Sequence, residues 1–173
     1  MTALVQTNHR LDIERAEYPL LERNPIRIIA WNTIDPNIMG MVRTAEAFMA
    51  ERVYMLRQPK RQSEAAGAHH WQPVTYTLDL LGEVERARQD GYSIVALEQT
   101  TGSIPLTKAR LPLGMCLLVG NEGNGLSPAA LAMADMAIEI PQFGFVSSLN
   151  VVTATSIALY EWVRQHKGRL SES

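Results

Sequence analysis

A glycine-rich stretch, LLVGNEGNGLS (117–127), places three glycines around one carboxylate at the end of an apolar run. Glycines at a strand end let the backbone approach a ligand closely or adopt positive φ angles. The stretch is not a P-loop, because Gly125 is followed by Leu126 rather than by a lysine, and its glycine order is not that of the dinucleotide fingerprint. Since Glu122 would repel a pyrophosphate, the stretch favours a ligand with hydrogen-bond donors or positive charge, or an arginine of a partner. A tight strand-to-helix turn is the alternative.

A second stretch, NTIDPNIMGMVRTAEAFMAE (32–51), has the spacing of an amphipathic helix. Its apolar face comprises Ile38, Met41, Val42, Ala45, Phe48 and Met49. The opposite face carries small residues around one guanidinium: Gly40, Arg43, Ala47 and Ala50. A solvated face is normally charged, so this one suits a surface that another backbone, subunit or ligand approaches. Alternatively, Arg43 forms only a weak helix-surface pair with Glu46.

A third stretch, IPQFGFVSSLNVVTATSIALYEWV (140–163), contains a helix that is apolar or hydroxylated on every side until Glu161. Such a helix is buried all round, which in a small domain implies the sheet on one side and a second copy of the chain on the other. Ser148 and Asn150 could serve only as helix caps. No histidine accompanies them in a motif, so a Ser–His hydrolase fits poorly. His69 and His70 are adjacent and lack further ligands at metal-binding spacing, so no metal site is expected.

Short apolar runs alternate with helical patterns along the chain. The predicted strands are Ile26–Trp31, Val53–Leu56, Tyr92–Leu97, Gly114–Val119 and Met136–Ile140, and the predicted helices are Ile38–Ala50, Leu78–Gln89, Pro128–Ala134 and Leu149–Gln165. This order predicts an α/β domain in which helices flank a parallel sheet. Ligands then gather at the carboxyl ends of the strands, where the glycine-rich stretch lies. We assign residues 25–164 to this domain, 1–24 to an N-terminal extension and 165–173 to a polar tail.

Composition narrows the class of protein. The 173 residues suit one domain, and an apolar fraction of 46% with 20% charged residues is ordinary for a globular protein. The sequence has neither a membrane-spanning run nor a signal peptide, and its one cysteine, Cys116, lies in an apolar run, so the cytoplasm is expected and a disulfide scaffold is not. A net charge of −2 gives no global attraction to nucleic acid, although a local basic patch is present. The patch comprises Arg52, Arg57, Lys60 and Arg61, and its alternative is a solvated loop.

Taken together, the three stretches resemble the SPOUT class of RNA methyltransferases, in particular the SpoU-type ribose 2′-O-methyltransferases. The resemblance rests on three segments in the same order and spacing. They are Asn37-x-x-Gly40-x-x-Arg43-Thr44-Ala45, Val119-Gly120-Asn121-Glu122-Gly123-x-Gly125-Leu126-Ser127 and Ile140-Pro141-x-x-Gly144-x-x-x-Ser148-Leu149-Asn150-Val151. The separate N-terminal RNA-binding domain of many members has no counterpart in this sequence.

The resemblance implies a C-terminal trefoil knot, S-adenosylmethionine as cofactor and a homodimer with its sites at the subunit interface. The backbone that would hold the cofactor lies around Leu97, Gly120, Gly125, Ile140 and Leu149. The reaction site would comprise Asn37, Arg43, Glu122, Ser148 and Asn150. Glu122 would orient neighbouring polar groups or complement the positive sulfonium of the cofactor.

In the expected reaction a ribose hydroxyl is aligned behind the transferred methyl group. Arginine is always protonated, so Arg43 is expected to hold a phosphate next to the target ribose rather than to act as a general base. The phosphate contacts would come from Arg43, Arg57, Lys60 and Arg61, with Arg164, Lys167 and Arg169 of the tail, on tRNA in preference to rRNA. The alternatives are a non-catalytic RNA- or cofactor-binding relative and a nucleotide-dependent oxidoreductase.

Overall fold

The computed structural model describes residues 22–31, 35–57, 71–121 and 123–167. Seven strands lie in these ranges: β1 (Asn24–Trp31), β2 (Ala50–Leu56), β3 (Val74–Thr77), β4 (Ser93–Leu97), β5 (Ile104–Pro105), β6 (Met115–Val119) and β7 (Met136–Glu139). The helices are α1 (Asp35–Ala47), α2 (Leu80–Gln89), α3 (Pro128–Leu131) and α4 (Val151–His166). The strands form one sheet in the order β3-β2-β1-β6-β4-β7-β5, and every neighbouring pair is parallel. The predicted α/β architecture is confirmed.

The central strand β6 shows why the sheet needs helices on both faces. Met115, Leu117 and Val119 belong to one buried cluster, whereas Cys116 and Leu118 belong to another, because successive side chains of a strand point to opposite faces. The first cluster includes the apolar faces of α1 and α4, and the second includes α2 and α3. Helices α1 and α4 therefore share one face of the sheet, and this arrangement brings the second and third sequence stretches together.

The five predicted strands and four predicted helices are present with shifted ends, but two strands were missed. Strands β3 and β5 form the two edges of the sheet. Their residues are half-buried or exposed, and β5 has only two residues, so neither carries the apolar run by which buried strands are found.

The end of α1 differs from its prediction. The helix stops at Ala47, and Met49 has a left-handed φ of 49° that a helix cannot continue through. Ala50, predicted on the small face of the helix, is instead a fully buried residue of β2. The apolar face of α1 is confirmed for Ile38, Met41 and the two further buried residues Val42 and Ala45.

Local capping explains the start of the two helices on the other face. The side chain of Asp79 accepts a hydrogen bond from the backbone of Gly82, so α2 begins at Leu80, and Leu78, predicted inside the helix, is an exposed residue before it. Ser127 caps α3, because its side chain accepts a hydrogen bond from the backbone N–H of Ala130, and Pro128 lies in the first turn. In the described part of the chain, no helix is both long and apolar enough to cross a membrane.

Candidate active site

A cleft of about 320 Å³ lies at the carboxyl ends of β4, β6 and β7, which are neighbours in the sheet. Ligands of parallel sheets bind at this edge, and the volume is that of a small-molecule site. The cleft is lined by Ser148 and by five of the six residues predicted to bind the cofactor: Leu97, Gly120, Gly125, Ile140 and Leu149. The sixth, Glu122, lies outside the described residues. The glycine-rich stretch and the third stretch therefore meet at one site.

The glycine-rich loop is closed by contacts of its own backbone. A Cβ atom on Gly120 would lie only 2.2 Å from the carbonyl carbon of Gly125, so a larger residue at position 120 does not fit. Gly125 has a φ of 61°, a conformation that favours glycine. The side chain of Asn121 accepts hydrogen bonds from the backbone N–H groups of Gly123, at 2.9 Å, and Asn124, at 2.7 Å. The loop is thus a tight turn and also a wall of the cleft, so the two interpretations of its sequence are compatible.

Glu98 is a residue that the sequence analysis missed. One of its carboxylate oxygens accepts a hydrogen bond from the backbone N–H of Leu126 at 2.8 Å, and the other accepts from the N–H of Gln99 at 3.1 Å. A Cβ atom on Gly125 would lie 2.3 Å from the Glu98 carboxylate, so glycine is needed here for space as well as for backbone angle. Glu98 holds the far end of the glycine-rich loop against β4. The sequence contained one indication of this role, since Glu98 directly follows the predicted end of a strand.

Some polar side chains that line the cleft are already hydrogen-bonded within the protein, and one is not. Glu139 accepts a hydrogen bond from the Ser103 hydroxyl at 2.8 Å, and Gln99 donates to the Ser147 carbonyl at 3.2 Å. In contrast, the Oε1 atom of Gln142 is buried and has no hydrogen-bond partner among the described residues. A buried acceptor without a donor is unfavourable, because it has lost its water and gained nothing in return.

Asn37 and Asn150, predicted together in the reaction site, are in direct contact. The Asn150 Nδ2 atom donates to Asn37 Oδ1 at 3.0 Å, and Asn37 is 9% exposed. Asn150 is also the N-cap of α4, since its Oδ1 atom accepts from the backbone of Val152 and Thr153. The capping alternative for Asn150 is therefore correct and does not exclude the positioning role.

Substitutions at Asn150 separate these two roles. Serine caps helices about as well as asparagine but is too short to reach Asn37, whereas alanine loses both contacts. We expect Asn150→Ala to lower the free energy of unfolding by about 1 kcal/mol relative to Asn150→Ser. For the methyl transfer that the resemblance implies, we expect both variants to lose activity to a similar extent, roughly tenfold. Chemical denaturation and a transfer assay check this, and full transfer by Asn150→Ser would show that Asn150 is only a cap.

Helices α1 and α4 touch along a line that begins at the Asn37–Asn150 bond. One turn further, a Cβ atom on Gly40 would lie 2.9 Å from a methyl carbon of Val152. The next turn carries a hydrogen bond of 3.1 Å between the hydroxyls of Thr44 and Ser156. Part of the small face predicted for an approaching partner is thus covered by α4 of the same chain.

Arg43 lies next to this line but outside the cleft. Its side chain is exposed on α1 and is not among the described residues that line the cleft. Glu46, the partner in the alternative interpretation of Arg43, forms an ion pair with Arg23 at 3.0 Å. The site of one chain therefore brings Asn37 and Asn150 together at its edge and leaves Arg43 facing outward.

Other predicted residues fall into two groups. Glu122, Lys60, Arg61 and Arg169 lie outside the described residues, together with His69 and His70. Arg52 donates to Thr75 on the neighbouring strand at 3.1 Å, and Arg57 follows the end of β2. Arg164 donates two hydrogen bonds of 2.7 Å to Glu161, and these bonds lower the pKa of the Glu161 carboxyl.

The outer side of α4 is apolar. Ile157 is 38% exposed and Tyr160 is 64% exposed, although the same helix buries Leu159 and Trp162 completely. Next to the cleft, Phe143 and Phe145 are fully exposed. The helix is therefore covered on its sheet side, while its other side leaves large apolar residues in water.

Cysteine and metal chemistry have no support in the described residues. Burial raises the pKa of the Cys116 thiol to about 12, which keeps it protonated and unreactive. Within the ranges that the structure covers, no cluster of three or more His, Cys, Asp or Glu residues could hold a metal ion.

Comparison with known proteins identifies the family. Residues 25–160 match the model of the SpoU rRNA Methylase family, and this range includes the cleft and the α1–α4 contact. The chain belongs to the SpoU rRNA methylase family. Among structures related to this SpoU-family chain, the A. aeolicus TrmH/SpoU tRNA modifying enzyme superposes with a TM-score of 0.80 at 28% identity, covering 90% of this chain and 83% of that one.

Curated relatives of this SpoU-family chain include tRNA methyltransferases. The tRNA (guanosine(18)-2′-O)-methyltransferase of Escherichia coli strain K12 is 31% identical over 76% of this chain and 59% of its own length. The mouse tRNA (guanosine(18)-2′-O)-methyltransferase TARBP1 is 29% identical over 75% of this chain. The match spans only 9% of the mouse protein, so the chain corresponds to a part of these relatives.

Proposed function

We propose that this chain is an S-adenosylmethionine-dependent RNA methyltransferase that methylates a ribose 2′-hydroxyl, with tRNA favoured over rRNA. The observation that carries the proposal is the cleft at the carboxyl ends of β4, β6 and β7, which joins the glycine-rich loop to the third stretch. Membership of the SpoU family and the tRNA (guanosine(18)-2′-O)-methyltransferase activity of the Escherichia coli relative support the same reaction.

The residues of the cleft fit this cofactor. The wall at Gly120 and Gly125 is backbone, whose N–H and C=O groups can bind an adenine or an amino acid. The unpartnered Oε1 atom of Gln142 offers an acceptor to a ligand. The carboxylates of Glu98 and Glu139 give the cleft negative character, which suits a positively charged ligand.

When bound, S-adenosylmethionine supplies a methyl group on a positively charged sulfur. The residues of the chain then have to bring the ribose oxygen into line with it. Arg43 holds a phosphate of the RNA next to the target ribose, because a guanidinium binds phosphate with two parallel hydrogen bonds. The bonded pair Asn37 and Asn150 fixes the adjoining edge of the cleft, and Ser148, exposed at that edge, contacts the cofactor or the ribose.

A homodimer completes the site in this proposal. Arg43 lies outside the cleft of its own chain, and the exposed residues Ile157 and Tyr160 leave one side of α4 available to a second copy. Burial of such apolar surface stabilises association. We further propose that the segment from Ile140 to the end of α4 is threaded as the trefoil knot that the resemblance implies.

A labelled-methyl transfer assay tests the proposal. The purified chain is mixed with S-adenosylmethionine and either total tRNA or rRNA, and the modified nucleosides are identified by mass spectrometry. We expect 2′-O-methylated nucleosides to appear in tRNA in excess over rRNA. Cofactor binding without transfer to either RNA would favour the non-catalytic relative, and base methylation would exclude the ribose reaction.

A further inference from the structure

The polar side chains around the cleft differ in whether their hydrogen bonds are already made. Glu98 is bound by the backbone of Gln99 and Leu126, and Glu139 is bound by Ser103. Asn121 accepts from the backbone N–H groups of its own loop. These oxygens hold the walls of the cleft in place.

Gln142 is the exception among the described residues. Its Oε1 atom is buried without a donor, and the residue lines the same cleft. A buried, unpartnered acceptor costs stability, and a turn of the Gln142 side chain toward the cleft lets a ligand in the cleft supply the missing donor.

The chemistry of the oxygen limits what the donor can be. An amide oxygen is neutral, whereas the cleft also holds the carboxylates of Glu98 and Glu139, which attract a charged ammonium more strongly. A neutral N–H or O–H donor therefore suits Gln142 best. In the cofactor of the proposed reaction, the adenine amino group and the ribose hydroxyls are of this kind.

We infer that Gln142 is a specificity-determining residue whose Oε1 atom accepts a hydrogen bond from the adenosine half of the cofactor. This inference rests on the proposed function, since it requires the cofactor to occupy the cleft. It predicts that binding and stability respond to Gln142 in opposite directions. Removing the oxygen weakens cofactor binding but relieves an unfavourable burial in the free protein.

The test compares Gln142→Leu with the unchanged chain by calorimetric titration of S-adenosylhomocysteine. We expect the affinity to fall about 5- to 10-fold, the effect of one lost hydrogen bond. We expect the melting temperature of the ligand-free variant to stay the same or to rise by about 2–4 °C. A purely structural role would lower the melting temperature instead.

Gln72→Leu is the matched control, because Gln72 is also a buried glutamine but its side chain is fully bonded. Its Oε1 atom accepts from Arg23 at 3.0 Å, and its Nε2 atom donates to the carbonyl of Ala50 at 3.1 Å. We expect Gln72→Leu to lower the melting temperature and to leave the affinity for S-adenosylhomocysteine within about twofold.

A second ligand identifies the donor. S-inosylhomocysteine lacks the adenine amino group but keeps the ribose hydroxyls. Equal binding of this analogue by both proteins assigns the bond to the amino group, and a persisting loss in Gln142→Leu assigns it to the ribose. Unchanged affinity of Gln142→Leu for S-adenosylhomocysteine overturns the inference but leaves the proposed function standing, as does a change confined to the KM for RNA. Failure of the unchanged chain to bind S-adenosylhomocysteine overturns both.

Discussion

Replacing Arg43 by alanine is expected to abolish measurable methyl transfer while S-adenosylmethionine still binds. The guanidinium is exposed and does not line the cleft, so its removal leaves the cofactor walls unchanged. In the proposed reaction its loss removes the group that holds the target phosphate, and we expect kcat to fall about 10²- to 10³-fold. Single-turnover transfer and calorimetric titration of the cofactor measure the two quantities separately.

Two further variants sharpen this result. Arg43→Lys keeps the charge but loses the planar pair of donors, so it should recover only a small part of the activity. Arg88→Ala removes the same charge from α2, on the other face of the sheet, and breaks an exposed pair with Asp135 that contributes little. We expect it to transfer methyl groups like the unchanged chain. A parallel loss of cofactor affinity in Arg43→Ala would contradict the assigned role.

The second large effect is expected at Gly120. The Cβ atom of an alanine would lie 2.2 Å from the carbonyl carbon of Gly125 and 2.6 Å from the backbone nitrogen of Leu126. Backbone atoms cannot rotate away, so the loop must open and the cleft wall must move. We expect the free energy of unfolding to fall by roughly 3 kcal/mol and cofactor binding to be lost. Thermal unfolding and titration with S-adenosylmethionine measure both effects.

Gly102→Ala is the control for this substitution. A Cβ atom at that exposed position would meet nothing within 4 Å. We expect its stability and cofactor affinity to stay near those of the unchanged chain. If Gly120→Ala were to bind the cofactor normally, the close approach of the two glycines would have no part in shaping the cleft.

The alternation of apolar runs and helical patterns was enough to predict the parallel sheet and the edge at which the cleft lies. It could not give the strand order, because pairing between β6 and its neighbours β1 and β4 depends on contacts between distant parts of the chain. The same limit explains the end of α1: the pattern continued to Ala50, but burial in β2 decided the fate of that residue.

The candidate site divides in the same way. The resemblance pointed to Gly120, Gly125 and Leu149, and all three line the cleft. Glu98 and Gln142 could not be predicted from the sequence. Glu98 stands out because it binds the backbone N–H of Leu126, and Gln142 stands out because its buried Oε1 atom has no donor among the described residues. The roles of Arg43, Ser148 and the Asn37–Asn150 pair remain predictions for the assays above.

The contact between Gly40 and Val152 constrains how this chain can evolve. A side chain at position 40 would come within 2.9 Å of Val152, so it becomes tolerable only after position 152 has shrunk. Substitutions at the two positions therefore have a fixed order: a smaller residue at position 152 of α4 has to precede a larger residue at position 40 of α1. Descendants of this sequence should vary at the two positions together, and the opposite order should be rare among them.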